Sequence, residues 1–202
     1  MTTKEGLPTA TSQAEKIGDQ QATGLLGWTN NFSYKNFSLS FMIDARLGGE
    51  IFSATQAALQ KVGTAECTAP GGERPEVLVE GVYMDDSGNY VPNTTKISQQ
   101  QYWTTVTGYG NLGISEANLY DATNIRLRNI SLNYNFPKKM LEKTPFQQVK
   151  LGVSCNNVWM IHSKMNGIDP ESVFALNTNA TGYEGYGAPT SRTFLFNVTL
   201  GF

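Results

Sequence analysis

Hydrophobic and polar positions alternate along much of this chain, most plainly in its last eleven residues. Arg192, Phe194, Phe196, Val198, Leu200 and Phe202 share one parity, and Thr193, Leu195, Asn197, Thr199 and Gly201 the other. Side chains alternate across a strand, so such a segment has one apolar, aromatic face and one small, mostly polar face. Its length is close to the 9–11 residues a tilted strand needs to cross a bilayer. A soluble sandwich strand shows the same alternation, so the upstream pattern has to separate the two.

Upstream, Trp28–Asn36 carries Trp28, Asn30, Phe32 and Tyr34 on one face. A tight turn at Lys35-Asn36, with Asn36 tolerating a positive φ, leads into 37–46. There Phe37, Leu39, Phe41, Ile43 and Ala45 alternate with Ser38, Ser40, Met42, Asp44 and Arg46. A long strand is predicted over 120–136. Its later half places Ile130, Leu132, Tyr134 and Phe136 on one face, but Ile125 and Leu127 have the opposite parity, with Arg126 and Arg128 between them. Either the strand bulges near 128–129 or its upper half packs inward. The fourth strand is 146–160 and the fifth 191–202, while 1–27 reads as loop. Between the strands lie an insertion at about 47–119 and a second loop at 161–190. The insertion should hold an amphipathic helix over 50–62, with Ile51, Ala54, Thr55, Ala58, Leu59 and Val62 on its apolar face. It should also hold a hairpin around Asp85–Gly88, and a helix opened by a capping box at Ser98–Gln101. The segment 137–145 is a short connector, about one helical turn.

Short turns on one side and long loops on the other are the plan of an outer-membrane barrel. Tyr34, Phe37, Phe136, Phe146 and Phe202 all fall at the short-turn ends, where an aromatic girdle would lie. Composition agrees: 20 glycines among 202 residues, 11% aromatic and only 16% charged, suit many short strands with turns. The mean hydropathy of −0.31 does not contradict a barrel, whose strands are apolar only at alternate positions. A net charge of −2 gives no footprint for nucleic acid. Met1–Gly6 is polar with no apolar core behind it, so the chain is expected to be either cytoplasmic or the tail of something longer. Two cysteines are too few for a disulfide scaffold; Cys67 reads as a loop thiol and Cys155 as a small strand residue.

With these stretches in hand, the sequence resembles the C-terminal end of a SusC/RagA-type TonB-dependent outer-membrane transporter. The matching residues are Trp28–Ser53, Tyr120–Pro137, Asn156–Trp159, Gly167–Ser172 and Pro189–Phe202, in the family's order. The resemblance implies an all-β fold: a five-strand antiparallel C-terminal segment of a large transmembrane β-barrel, with long extracellular loops carrying short helices. It implies import of large nutrients, typically glycans and sometimes peptides, with a SusD-like surface lipoprotein as partner. Other implied partners are outer-membrane lipid, the barrel-assembly machinery and, through an upstream region absent from this sequence, the TonB complex. The expected location is the outer membrane, as part of a full-length protein. A terminal aromatic such as Phe202 resembles the signal read in barrel assembly. The family's energy-coupling residues carry over to no position here. Five strands cannot close a barrel, so transport by this chain alone is not expected.

No catalytic set is present, no cofactor is implied, and an enzyme reading ranks last. His162 is the only histidine, which excludes a multi-histidine metal site. Asp85–Asn89 lacks EF-hand spacing and reads as a polar turn. Sugar recognition favours aromatic platforms, so Tyr102, Trp103, Tyr109, Tyr183 and Tyr186 in the two long loops are the ligand-binding candidates; for any one of them, a role in the loop's own core is the bland reading. Asp44, Arg46, Arg126 and Arg128 are candidates to line the lumen or to pair with one another. The competing reading is a stand-alone soluble β-rich carbohydrate-binding module, with the alternating faces forming a sandwich core.

Overall fold

The computed structural model describes residues 1–108, 113–165, 167–173 and 180–202. In chain order the strands are β1 (Gly24–Tyr34), β2 (Phe37–Leu47), β3 (Glu50–Ser53), β4 (Val77–Leu78), β5 (Val82–Met84), β6 (Tyr90–Pro92), β7 (Lys96–Ile97), β8 (Leu119–Asp121), β9 (Asn124–Asn135), β10 (Gln148–Ser163), β11 (Tyr183–Glu184) and β12 (Thr193–Gly201). The helices are α1 (Ala54–Val62), α2 (Gln99–Gly108) and α3 (Lys138–Leu141). They fall into two compact units. One holds Met1–Gln20, Glu50–Tyr120 and Ser172–Gly187, and the other Gln21–Gly49, Asp121–Glu171 and Ala188–Phe202.

The second unit is a five-stranded antiparallel sheet in the order β1-β2-β9-β10-β12. Its register carries each strand's apolar parity onto one face. Asn30 pairs with Phe41, Phe41 with Ile130, Ile130 with Cys155 and Cys155 with Phe194. The broken alternation of β9 is a bulge. Met42 pairs with Asn129 and Ile43 with Leu127, so Arg128 is the extra residue. Two residues opposing one let Leu127 and Ile125 rejoin the apolar face and turn both Arg126 and Arg128 to the polar one. In the β1–β2 turn the positive φ falls on Lys35 (+53°), not on Asn36. Asn36 instead donates its side-chain amide to the Asn135 carbonyl, 2.6 Å away.

This sheet has the burial of a soluble protein reversed. Among its apolar-face side chains, Phe196 is 81% exposed, Phe194 63%, Trp28 59% and Phe37 50%. The buried groups of this unit include Arg126 and Asn124, on the polar face. Nothing described covers the aromatic face, so it is no half of a sandwich.

The first unit has an ordinary small core containing Ile51, Phe52, Ala54, Ile97 and Val106. The helix predicted over 50–62 is two elements. Glu50–Ser53 is strand β3, with β11 parallel to it, and α1 begins after Ser53. The Ser53 hydroxyl accepts from the Gln56 N–H, and Gly63 ends the helix at φ +77°. The apolar face predicted for it is also corrected: α1 buries Ala54, Gln56 and Gln60, while Leu59 and Val62 are exposed. Gln60 is buried because the amide of Asn118, itself buried, donates to it at 2.9 Å. The capping box forms, with the Gln101 N–H donating to the Ser98 hydroxyl and the Ser98 N–H to the Gln101 side chain. The hairpin pairs β5 with β6 around Asp85, with β4 and β7 paired as a second two-stranded ladder. The Asp85 carboxylate accepts from the N–H groups of Ser87 and Asn89, so it is spent on the turn.

Candidate functional site

Three features carry chemistry, and each follows from the register or the caps just described. The first is a charged cluster on the polar face. The β9 bulge sets Arg126 and Arg128 beside Asp44 of β2, and the segment after β10 folds back to add Asp169 and Glu171. Arg126, 1% exposed, pairs with Asp169 and lies 3.2 Å from Glu171. Arg128 pairs with Asp44 and with Glu171, the latter at 2.6 Å. Asp169 also accepts from the Glu171 N–H and from both the N–H and the hydroxyl of Thr190. Burial opposes ionisation of Asp169, but the bonds from Arg126, Thr190 and these N–H groups outweigh it and hold its carboxyl well below the usual range. Glu171 is held below its ordinary value chiefly by Arg128. Asp44, Arg126 and Arg128 therefore meet, as one of the two sequence alternatives has it, and Arg126 is covered rather than open. Arg46 stands on the same face, its Nε donating to the Gly48 carbonyl at 3.4 Å.

The second feature is aromatic and lies in the first unit. Glu184, 1% exposed, accepts from the hydroxyls of Ser53 (2.7 Å) and Thr55 (2.6 Å) and from the Thr55 N–H, at the N-terminus of α1. Thr55 in turn accepts the N–H of Tyr186, holding that residue at φ +60° with its ring 70% exposed. Tyr183 stacks on Phe52, ring centroids 5.7 Å apart. Trp103 meets Tyr102 edge-on at 4.9 Å, and its indole N–H donates to Gln99. Trp103 lines one cleft, and Tyr183 with Tyr186 another; the two clefts share Lys61. Tyr109 lies outside the described residues.

The third feature is the aromatic face of the sheet. At the short-turn end Phe37 packs on Tyr134 (4.7 Å), Tyr134 on Phe136 (5.0 Å) and Phe146 on Phe202 (5.2 Å). Phe202 itself is 78% exposed. Higher up, Trp28 pairs with Ile43, Ile43 with Leu127 and Leu127 with Trp159. The two tryptophans thus stand at one level, both exposed. Two aromatic rows bound an aliphatic and aromatic band between them.

No protein-family model matches the chain. Over 198 residues, 96% of its length, it is 27% identical to TonB-dependent receptor P3 of Formosa agariphila. The chain is similar to TonB-dependent receptors. TonB-dependent receptor P39 of the same organism is 25% identical over 177 residues. The match spans 18% and 16% of those two receptors, so the chain corresponds to a minor part of each. Its fold matches a chain in a structure of the RagAB peptide importer in the open-open state, with a TM-score of 0.56 at 15% identity, covering 88% of this chain and 17% of the other. The similarity to TonB-dependent receptors expected from the sequence therefore stands, and so does a mostly β, antiparallel architecture with few helices. These relatives are receptors and an importer, not enzymes.

Sequence reasoning missed the partners of the arginines. Asp169 and Glu171 stood in a stretch quoted only for its resemblance, although two strand arginines with one nearby acid called for further carboxylates. It also saw one aromatic row where there are two. Trp28 was visible on the apolar parity, but the bulges in β10 hid the level of Trp159.

Proposed function

We propose that the chain supplies five strands of an outer-membrane TonB-dependent importer barrel, which takes up large nutrients, glycans by preference, together with a SusD-like surface lipoprotein. The observation that carries this reading is the exposed aromatic face of the sheet. Soluble proteins rarely leave a contiguous apolar patch of more than a few hundred Å² in water. Along β2 the apolar positions run from Phe37 to Ala45, eight residue steps or about 27 Å, which a strand tilt near 40° brings to roughly 20 Å of the bilayer normal. That is close to the apolar band of about 25 Å on such barrels. In this arrangement the charged cluster faces the lumen, and Phe202 sits at the end of the strand read during assembly.

The sheet has two edges, β1 and β12. In lipid the free edge of β12 would leave roughly nine backbone groups unpaired at several kcal/mol each, so further strands complete the barrel. Import, energy coupling and partner binding belong to that complete assembly. The test is fractionation of native cells with an antibody to the last strand. A band well above 22.1 kDa in the outer-membrane fraction supports the reading. A soluble band at the mass of this chain removes it and restores the soluble-module reading.

A further inference from the structure

The two clefts that share Lys61 bring two cations, Lys61 and Arg74, near exposed or half-buried aromatic rings. Among the described residues Lys4 pairs with Asp86, Lys16 with Asp19 and Lys164 with Asp121. Lys61 and Arg74 make no ion pair with any described carboxylate, and no carboxylate lines either cleft among the described residues. Arg74 reaches the Gly63 carbonyl at 3.0 Å through one guanidinium nitrogen, which leaves its other donors for a ligand. Around these cations stand neutral amides and hydroxyls, from Gln99, Gln100 and Thr107, and the rings of Trp103 and Tyr186. The lining of these clefts is thus basic and aromatic on a chain whose net charge is −2.

The rings are also held in place. Tyr186 occupies left-handed backbone, costly for a side-chain-bearing residue, and the Thr55 hydroxyl anchored by buried Glu184 fixes its N–H. Gly185 permits this loop to close, because a Cβ there would come 2.8 Å from the Tyr183 ring. Trp103 is oriented by its bond to Gln99. Most lining residues are on α1 and α2, whose main-chain groups are largely engaged within the helices. Recognition here is therefore by side chains, which disfavours an extended peptide pairing through its backbone.

We propose that this surface binds an acidic oligosaccharide. Sugar rings stack on Tyr186 and Trp103, and uronate or sulfate groups pair with Lys61 and Arg74. The proposal rests on the import reading and names the class of glycan taken by the loops. It deepens the aromatic-platform expectation by adding the charge that selects among sugars.

The test is titration calorimetry in detergent micelles on the polypeptide in which the chain is naturally made, with an oligogalacturonate, a sulfated galactan oligomer, a neutral maltohexaose and hexaglutamate as probes. At least one acidic oligosaccharide is expected to bind roughly tenfold or more tighter than maltohexaose, with affinity falling as salt rises. Lys61→Gln and Arg74→Gln should each weaken that binding roughly tenfold and leave maltohexaose unchanged. Lys61→Arg should retain it, and unchanged circular dichroism separates lost contacts from lost folding. Which acidic sugar binds distinguishes carboxylate from sulfate. Equal affinity for neutral and acidic sugars, no binding of either acidic sugar, or hexaglutamate binding as tightly as the uronate, overturns the proposal. Fractionation reads the import reading separately: a chain in the outer membrane with no charge preference sinks only the acidic-sugar proposal.

Discussion

Replacing Phe41 by Arg tests which solvent the aromatic face meets. Phe41 lies midway along the apolar run of β2, four residues from Phe37 and four from Ala45. Its ring meets Trp28 edge-on at 6.0 Å and stacks on Phe32 at 6.1 Å. In lipid, Arg near mid-bilayer costs about 2–4 kcal/mol. Loss of two aromatic contacts adds about 0.5–1.5 kcal/mol each. The sum is about 3–7 kcal/mol, a hundredfold or more in the folded population. In water the same change exposes a charge on an already exposed face and costs little beyond the ring contacts. Ser40→Arg, one residue away on the opposite face, is the control and should cost under about 1 kcal/mol. The assay is urea unfolding from fluid phosphatidylcholine vesicles, using the polypeptide in which the chain is naturally made. Equal stability of Phe41→Arg and Ser40→Arg refutes the lipid-facing assignment.

Other outcomes follow from the polar groups. Asp169→Asn leaves the buried Arg126 short of its counter-charge and should cost about 3–5 kcal/mol, seen as faster proteolysis within 167–171. The carboxyls of Asp169 and Glu171 are depressed in the folded state, so their contribution is present above the ordinary carboxylate range and is lost as pH falls through the lowered values. Protection of 167–171 should be flat from pH 8 to about pH 5 and fall only below about pH 4. Glu184→Ala strands the Ser53 and Thr55 donors at the start of α1 and should destabilise the first unit by about 2–3 kcal/mol, read by hydrogen exchange of α1.

The strands were legible because their signal is local. Phe37–Ala45 and Phe194–Leu200 alternate without interruption, and in the structure the apolar alternate members of each run lie on one face. The bulge was legible as a fault in parity at Ile125–Arg128, but its meaning was not. A bulge is settled by the partner strand, here by Met42 and Ile43, and no single stretch contains that information. The helix at 50–62 was overextended because Ile51 and Phe52 fit a helical period as well as a strand. What decides is the parallel pairing with Tyr183–Glu184, about 130 positions away. The same distance hid the Glu184 cap, and separations of 43 and 84 positions hid the ionic cluster. Both depend on loops that fold back to bring in Asp169, Glu171 and Glu184. The ring candidates were chosen by type and by their place in the long loops, with the glycines around Tyr183 and Tyr186 setting that pair first, but nothing in the sequence could set Lys61 between them and Trp103.

The most direct test of the central claim is a scan of single spin labels along β12 in native membranes, comparing collision with oxygen and with a water-soluble nickel chelate. The account predicts that labels at Phe194, Phe196, Val198 and Leu200 meet oxygen dissolved in lipid, while those at Leu195, Asn197 and Thr199 do not. Uniform access of the nickel chelate to all seven positions would contradict it.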